Sequence, residues 1–262
     1  MNIVIFNYHA HTYMCGHATG TPEEYVKRAI ECGVKYMGFS DHMPLKFPDG
    51  SESSFRVKVS EVNKYCSEIA YLKEKYKDKI DIKIGFEMEY YEDIFDEMLN
   101  NAISYGAEYL ILGQHYFQPE NTPGATYVNS QPDNEDILKT YAKRVEKAIK
   151  TRAFTYVAHP DVINFTGDAS AFAEEMRKIC IASKEYKIPL EINLLGIRGN
   201  RNYPNDTFWK MVGEEQSPVT IGFDSHDINN AYDEASIVKA KAMIEKYNLN
   251  YIGMPELINI RE

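Results

Sequence analysis

Short apolar runs rich in β-branched residues alternate with amphipathic helical windows along most of the chain. Such alternation is typical of strands that pair in parallel through helical crossovers. The predicted strands are residues 2–8, 35–40, 82–90, 109–114, 154–158, 188–193 and 218–223. The predicted helices are residues 22–33, 59–77, 93–105, 134–150, 169–186, 205–214 and 234–247. We therefore expect an α/β fold, and the lack of a linker-like tract predicts one domain over residues 1–262.

The first predicted helix carries start and stop signals. Thr21 precedes Pro22, and Glu24 stands three residues after Thr21, which is the order of a capping box with proline in the first turn. Gly33 ends the helical pattern just before the next strand. We expect this helix to begin at Pro22 and the chain to turn at Gly33.

The charge balance excludes one class of partner. The sequence has 39 acidic residues against 29 lysines and arginines, a formal net charge of -10. Affinity for nucleic acid depends largely on neutralising phosphates with basic residues, so we expect no nucleic-acid partner and no anionic membrane. A small phosphorylated metabolite is compatible with this charge because bound cations reverse the local potential. The oligomeric state is left open.

Three features indicate a cytoplasmic protein. No apolar stretch reaches the about 18 residues that a membrane-spanning helix needs. Residues 1–6 lack the basic segment of a signal peptide, so we expect none to be cleaved. The cysteines lack CxxC spacing, which favours reduced thiols in a cytosolic compartment. They are Cys15, Cys32, Cys66 and Cys180.

All 7 histidines lie at or just after the end of a predicted strand. They are His9, His11, His17, His42, His115, His159 and His226. Asp224 holds a similar position, and Glu87 lies within the third predicted strand. Residues two apart on a strand, such as His9 and His11, face the same side. These side chains meet only if the strand ends converge, which favours a TIM-like (β/α) barrel over an open sheet. Histidine and carboxylate ligands suit Zn, Mn or Fe, so the pattern predicts a site for such divalent ions.

Long connections follow three of the predicted strands, at residues 43–58, 115–133 and 194–204. Long loops on one face of a barrel usually carry substrate contacts. Arg198 and Arg201 are candidates for binding phosphate because guanidinium groups grip phosphate with two N–H groups. Arg56 is a third candidate, and Tyr116 is a candidate for lining the substrate pocket. Each arginine can instead be an ordinary solvated surface residue.

The same motifs, in their order along residues 7–226, resemble those of the PHP (polymerase and histidinol phosphatase) family. They are His9-x-His11, Cys15-Gly-His17, Ser40-Asp41-His42, Gly85-Phe-Glu87, Gly113-Gln-His115, Ala158-His159-Pro160-Asp161 and Asp224-Ser-His226. Within the family, the chain is most similar to the stand-alone histidinol-phosphate phosphatases. The resemblance implies a distorted seven-stranded (β/α) barrel with three divalent ions at the C-terminal ends of the strands.

The resemblance also implies a ligand set for each ion. The first ion takes His9, His11, Glu87 and Asp224, the second takes Glu87, His115 and His159, and the third takes His17, His42 and His226. One position departs from the family, because Asn7 stands where many members have aspartate. An amide can orient His9 through a hydrogen bond, but it cannot raise imidazole basicity as a carboxylate does.

The function implied by the resemblance is hydrolysis of L-histidinol phosphate to L-histidinol and phosphate, a step of histidine biosynthesis. Metal ions about 3.5–4 Å apart can bridge a hydroxide and align it for in-line attack on phosphorus. Glu87 and Asp224 would act catalytically by holding the ions. Asp161 and Asp41 are candidates for the proton donor or for supporting the ligands. Asp161 follows a ligand in a proline turn and can equally be a turn or helix-capping residue. Glu89 is either a supporting residue or an ordinary polar partner.

Other functions stay open at this point. A phosphoesterase of the same family can act on a nucleotide or on another small phosphoester. A protein-tyrosine phosphatase of this family is a third enzymatic reading, although its N-terminal pattern is not present. A non-catalytic, metal-binding regulatory module is the alternative outside enzymes, and such modules usually lose ligands that this chain retains.

Overall fold

Short strands and longer helices alternate along the protein. The computed structural model describes residues 4–261. The strands are β1 (Phe6–Asn7), β2 (Tyr36–Phe39), β3 (Asp81–Met88), β4 (Tyr109–Leu112), β5 (Leu190–Asn193), β6 (Pro218–Gly222) and β7 (Asn250–Tyr251). The helices are α1 (Pro22–Glu31), α2 (Val62–Lys75), α3 (Phe95–Tyr105), α4 (Glu135–Thr151), α5 (Ala169–Tyr186), α6 (Leu194–Gly199), α7 (Asp206–Glu215) and α8 (Glu234–Lys246). Short 3-10 helices lie at Tyr13–Cys15, Glu92–Ile94 and Ile228–Ala231.

Two parallel sheets form the centre of the fold. The strand order is β1-β2-β3-β4 in the first sheet and β5-β6-β7 in the second. Every strand pair within these sheets is parallel. Parallel neighbours need a crossover connection, which the intervening helices provide. The predicted α/β fold with a parallel sheet is therefore confirmed.

Isolated bridges link the two sheets into a curled surface. Val157 pairs with Leu112 of β4 on one side and with Leu190 of β5 on the other. Ala10, which follows β1, pairs with Ser225, which follows β6. Backbone hydrogen bonds accompany both links. As a result, the segments that follow β1 and β6 lie side by side although they are far apart in the sequence.

Some predicted strand bounds differ from the structure. The predicted strand 154–158 is reduced to the bridge at Val157. His159 has a φ of 30°, and this left-handed backbone prevents an extended ladder from continuing. β7 is absent from the prediction because a strand of two residues shows no alternating pattern. The first two residues of the predicted strand 2–8 lie outside the described residues, and β1 covers Phe6–Asn7.

The predicted loop 194–204 contains the short helix α6. The Asn193 side chain accepts a hydrogen bond from the Gly196 N–H at 2.9 Å and so caps the start of the helix. The sequence does not predict this helix, because Gly196 and Gly199 lie within it and glycine has a low helix propensity. The first of them is needed for packing, since a Cβ on Gly196 would lie 2.4 Å from the Tyr203 carbonyl oxygen.

The predicted start of the first helix is confirmed. The Thr21 side chain accepts from the Glu24 N–H, and the Glu24 carboxylate accepts from the Thr21 N–H, which completes the capping box before Pro22. Gly33 follows the helix with a φ of 83°, a conformation that glycine adopts without a steric penalty. Among residues 4–261, no helix combines the length and apolar character that crossing a bilayer requires.

Candidate metal centre

Glu87 lies at the centre of the site, near the end of β3, and is 1% exposed. Imidazoles surround its carboxylate, at nitrogen-to-oxygen distances of 3.5 Å from His9, 3.3 Å from His11, 3.2 Å from His42, 3.4 Å from His115 and 2.9 Å from His159. Burial raises the pKa of Glu87, but the histidines outweigh burial and hold this pKa well below its ordinary value. Gly113 leaves room for the carboxylate, because a Cβ there would lie 1.9 Å from Glu87 Oε1.

Asp224 and the two remaining histidines complete the cluster. Asp224 Oδ1 lies 3.7 Å from His9 Nε2, 3.6 Å from His11 Nε2 and 3.1 Å from His226 Nδ1. His226 Nε2 lies 2.9 Å from His17 Nε2. Asp224 has a φ of 47°, a left-handed backbone that is uncommon outside glycine and concentrated at functional sites. The structure therefore brings every residue predicted as a metal ligand into one cluster.

The chemistry of this cluster fits divalent cations. Several of its buried polar atoms have no hydrogen-bond partner: His9 Nε2, His11 Nδ1, His11 Nε2, His42 Nδ1, Glu87 Oε2, His159 Nδ1 and Asp224 Oδ1. Buried polar atoms without partners are costly, so their concentration at one point indicates a ligand. Two ligand atoms that each lie about 2.1 Å from one ion are themselves about 3.0–3.4 Å apart. The nitrogen–oxygen distances within the cluster run from 2.9 to 3.7 Å and so bracket that spacing.

The geometry suggests groupings that partly differ from those implied by the resemblance. Ligand atoms within 4.8 Å of one another form the sets His9–His11–Asp224, His11–His42–His226, His42–Glu87–His115 and His9–Glu87–His159. The first set agrees with the ligands implied for the first ion. The contacts of Glu87 with His115 and His159 agree with those implied for the second ion. His42, however, approaches Glu87 and His115 as well as His226. His42 therefore lies between two of these groupings.

Glu191 and Asn193, on β5, support the cluster and were missed by the sequence analysis. Glu191 Oε1 lies 2.7 Å from His9 Nδ1, and Glu191 Oε2 accepts from the His159 N–H at 2.9 Å. Asn193 Nδ2 donates to Glu191 at 2.8 Å and to Asp224 Oδ2 at 3.0 Å. The sequence feature that could have identified Glu191 is an acidic residue within a buried strand, two residues from another polar residue on the same face. Glu87 shows the same pattern.

Asn7 takes part in the same support. Its side-chain oxygen accepts from the His9 backbone N–H at 3.1 Å, and its amide donates to Ser225 Oγ at 3.3 Å. The imidazole of His9 takes its carboxylate partner from Glu191 instead. The amide at position 7 thus orients the His9 backbone, and a different residue supplies the carboxylate that raises imidazole basicity.

Arg56, predicted as a substrate contact, does not line the cavity that opens onto the cluster. It is 2% exposed, and it donates to Glu89 Oε2 and Glu120 Oε1, each at 2.7 Å. Burial lowers the pKa of Arg56, but Glu89 and Glu120 outweigh it and hold the pKa above its ordinary value. Glu89 Oε1 also lies 3.2 Å from His115 Nδ1. Arg56 therefore fixes Glu89, which in turn orients one of the candidate ligands.

Arg198 also does not line the cavity that opens onto the cluster. Its guanidinium donates to the carbonyl oxygen of Phe223 at 2.7 Å and to that of Asp224. These carbonyls belong to the turn in which Asp224 has its left-handed backbone. The guanidinium is used to hold this turn, which differs from the predicted contact with phosphate.

Asp161, predicted as a catalytic acid, is buried against α7. One of its carboxylate oxygens accepts from the Asn205 N–H at 2.6 Å and from Trp209 Nε1 at 3.0 Å. Burial raises the pKa of Asp161 to about 6, against the lowering effect of these hydrogen bonds. Asp161 does not border the substrate cavity within the described chain, so its contacts support the turn at His159 and differ from a proton-transfer role.

Asp41 fixes the loop after β1. Its carboxylate accepts from the Thr12 N–H at 2.8 Å and from Thr12 Oγ1 at 2.9 Å. Burial raises the pKa of Asp41 to about 7, opposed by the hydrogen bonds from Thr12. Because Thr12 directly follows His11, Asp41 supports the position of this histidine, one of the two roles expected for it.

A cavity of about 420 Å³ opens onto the cluster. Its lining includes Glu87, Asp224 and five of the histidines, which are His17, His42, His115, His159 and His226. The remaining lining residues are Phe55, Tyr116, Tyr127, Val162, Leu195, Arg201 and Tyr203. Arg201 and Tyr116 are thus the two predicted substrate contacts that border the cavity. Arg201 Nη1 donates to the Tyr203 hydroxyl at 2.9 Å, which fixes the guanidinium at the cavity wall.

The sequence matches a protein family over most of its length. The PHP domain family matches residues 7–194. A probable histidinol-phosphatase of Deinococcus radiodurans is 24% identical, over 83% of this chain and 85% of that protein. A histidinol-phosphatase of Lactococcus lactis is 26% identical, over 92% of this chain and 90% of that protein.

A solved structure shares the fold. The crystal structure of histidinol phosphate phosphatase from Lactococcus lactis, complexed with zinc, L-histidinol and phosphate, matches with a TM-score of 0.72. The two chains are 21% identical, and the match covers 99% of this chain and 98% of the other. At this identity the likeness establishes a common fold.

Proposed function

Because the chain belongs to the PHP domain family, we propose that it is a metal-dependent phosphomonoesterase that hydrolyses L-histidinol phosphate to L-histidinol and phosphate. The matched proteins of Deinococcus radiodurans and Lactococcus lactis are described as histidinol-phosphatases. The related crystal structure contains zinc and both reaction products. We propose with this reaction a role in histidine biosynthesis, a small phosphorylated metabolite as partner and a cytoplasmic location.

The observation that carries the proposal is the convergence of imidazoles on the Glu87 carboxylate beneath an open cavity. We assign three divalent ions, Zn, Mn or Fe, to this cluster. His9, His11, Glu87 and Asp224 would hold the first, Glu87, His115 and His159 the second, and His17, His42 and His226 the third. When bound, such ions supply Lewis acidity toward phosphoryl oxygens and lower the pKa of a coordinated water.

We further propose that the curled sheet is the distorted seven-stranded barrel of this family, in one domain over residues 1–262. The segment at Val157, bridged to β4 and β5, supplies the fifth barrel strand, and β5 and β6 are the sixth and seventh. The Ala10–Ser225 bridge closes the barrel between β1 and β6, so β7, which pairs with β6, lies outside the barrel count. In a barrel of this type the active site lies at the C-terminal ends of the strands. This arrangement accounts for the position of the histidines, each of which follows or ends a strand-like segment.

Residues of the chain bind and orient the phosphoester. We assign the non-bridging phosphoryl oxygens to Arg201, because its guanidinium borders the cavity and is fixed by Tyr203. Tyr116 lines the side on which the leaving group would lie. We assign Asp161 and Arg198 to positioning, since their polar atoms are engaged by α7 and by the turn at Asp224.

The test is phosphate release from L-histidinol phosphate, p-nitrophenyl phosphate and a mononucleotide by protein stripped of metal and refilled with Zn or Mn. We expect hydrolysis that depends on metal and strongly prefers L-histidinol phosphate. Preference for the mononucleotide would move the proposal to a nucleotide phosphoesterase. Metal binding without hydrolysis of any ester would contradict the proposal and favour a regulatory metal-binding module.

His17→Ala is expected to remove one bound ion and to lower kcat by at least about 10-fold, because losing even a residue that only orients a metal ligand costs about 10–100-fold. The imidazole lies at the exposed edge of the cluster, near His226, so its loss should leave the fold intact. Metal content by mass spectrometry, kcat and the melting temperature check this expectation. Full activity with an unchanged metal content would remove His17 from the proposed ligand set.

Arg201→Ala is expected to lower kcat/KM by about 10–100-fold, because a hydrogen bond between charged groups contributes about 1.5–3 kcal/mol. Arg201→Lys should retain part of the activity, since lysine keeps the charge but loses the planar fork. Arg177→Ala is the matched control, because Arg177 pairs with Glu214 and Glu215 and does not line the described cavity. Equal kcat/KM values for Arg201→Ala and the control would overturn the assignment.

A further inference from the structure

A row of aromatic rings borders one side of the cavity. The Phe55 and Tyr116 rings are nearly parallel, with an angle of 17° and 5.7 Å between their centroids. The Tyr116 and Tyr127 centroids are 5.4 Å apart. At the other end of the row, Phe55 meets the His42 imidazole edge to face at 5.3 Å. The aromatic row, Phe55–Tyr116–Tyr127, therefore begins beside the metal cluster and continues along the cavity lining.

The aromatic row is held in place by contacts that do not involve a substrate. Tyr116 and Tyr127 form an antiparallel bridge within the loop after β4. The buried Arg56 guanidinium lies 4.8 Å from the Phe55 ring centroid and is itself fixed by Glu89 and Glu120. The rings are thus arranged before any ligand arrives, which reduces the entropy lost on binding.

The aromatic row is nevertheless partly exposed to solvent. Tyr127 is 38% exposed, and Phe55 and Tyr116 are half-buried. Neighbouring aromatic rings left open to water beside a cavity are typical of binding surfaces, because covering them is favourable. Across the cavity, Val162 and Leu195 add apolar surface.

Charged groups are scarce along this part of the cavity. Among the lining residues of the described chain, the only carboxylates are Glu87 and Asp224, and the only guanidinium is that of Arg201. The carboxylates belong to the metal cluster, and Arg201 is suited to the phosphoryl group. The aromatic row can therefore recognise the rest of a substrate mainly through shape and ring stacking.

We propose that the aromatic row selects phosphomonoesters whose leaving group carries a flat aromatic ring, and that Phe55 and Tyr127 determine this specificity. The inference deepens the proposed phosphomonoesterase function and rests on it for turnover. The phosphoryl group lies at the metal cluster and Arg201, and the ring of the leaving alcohol lies against the row. The row takes no part in breaking the P–O bond, so its effect falls on substrate selection.

The experiment compares three amino-alcohol phosphates on metal-loaded enzyme: L-histidinol phosphate, L-phenylalaninol phosphate and L-alaninol phosphate, which lacks a ring. We expect the two ring-bearing esters to have kcat/KM values at least about 10-fold above that of L-alaninol phosphate. Phe55→Leu and Tyr127→Leu should each lower this ratio by about 2–10-fold, mainly through KM, because a favourable aromatic pair is lost. A ratio that stays at the wild-type value in both variants would overturn the inference.

Tyr71→Leu is the matched control, since Tyr71 is 61% exposed on α2 and does not line the described cavity. Its ratio should equal that of the wild type. If the Phe55→Leu variant fails to fold, Tyr127→Leu still tests the inference, because Tyr127 lies in an exposed loop. Melting temperatures show whether each variant is folded.

Calorimetry with phenylphosphonate and methylphosphonate separates this inference from the proposed function. Neither phosphonate needs to be hydrolysed, so binding is measurable even if no ester is turned over. Tighter binding of phenylphosphonate, with the difference reduced in Phe55→Leu, would support the aromatic row while the hydrolytic function fails. Equal affinities for the two phosphonates in the wild type would overturn the inference, whatever the turnover results.

Discussion

Glu87→Gln is expected to lower kcat by about 1000-fold, the largest effect on activity of any single substitution considered for this protein. The carboxylate is buried and approached by His9, His11, His42, His115 and His159. A neutral amide of the same size retains the packing but removes the negative charge that would be shared between two ions. Several kcal/mol of charge stabilisation in the transition state would be lost with the displaced ions.

The readouts for Glu87→Gln are kcat on L-histidinol phosphate and the number of ions bound per chain. Glu175→Gln is a matched control, because Glu175 is also buried, at 6% exposure, and pairs with Lys178 on α5. The control should keep both its ions and its kcat. Wild-type kcat and metal content in Glu87→Gln would show that the carboxylate does not bridge the site.

Arg56→Ala is expected to lower the free energy of unfolding by about 3–5 kcal/mol, because it leaves buried carboxylates without their cation. Glu89 and Glu120 each accept from Arg56 at 2.7 Å, and the Glu89 and Glu120 side chains are 1% and 9% exposed. The substitution should also lower kcat, since Glu89 orients His115. Urea denaturation of the metal-loaded protein measures the first effect.

Arg177 provides a matched control for this stability prediction. That residue also pairs with two glutamates, each at 2.6 Å, but its side chain is 36% exposed. Exposed ion pairs contribute little, so Arg177→Ala should change the unfolding free energy far less than Arg56→Ala. Adding Glu89→Gln and Glu120→Gln to Arg56→Ala should recover part of the loss by removing the unpaired charges. Similar losses in the two arginine variants would contradict the role of burial.

The convergence of the histidines could be predicted from the sequence because it depends on two simple regularities. Side chains two apart on a strand share a face, and parallel strands in a curled sheet send their C-terminal ends to one side. His9 with His11 and Asp224 with His226 follow the first regularity. The second brings these pairs together with Glu87, although they lie in distant parts of the chain.

The roles of the arginines could not be predicted in the same way. A long flexible side chain reaches partners that its position along a strand or loop does not specify. Arg56 turns inward because Glu89 and Glu120 lie beneath it, and Arg198 turns toward the carbonyls of Phe223 and Asp224. Both sets of partners are distant in sequence, so only the folded chain reveals them.

Glu191 was missed for a different reason. It lies in a short strand between two apolar residues, with Asn193 as the other polar position, and no histidine stands beside it in the sequence. Its contacts with His9 and with the His159 N–H depend on the neighbouring strand-like segments. Space for its carboxylate depends on Gly222, where a Cβ would lie 1.5 Å from Glu191 Oε1.

The bridge between Ala10 and Ser225 has a consequence for how the protein is made. His17 and His226 are separated by 209 residues along the chain. At about 5–20 residues per second, a ribosome needs roughly 10–40 s to synthesise that separation. During this interval the nascent chain carries His9, His11 and His17 without Asp224 and His226. Ion uptake by the complete site therefore follows late in translation and is coupled to the closing contacts of folding.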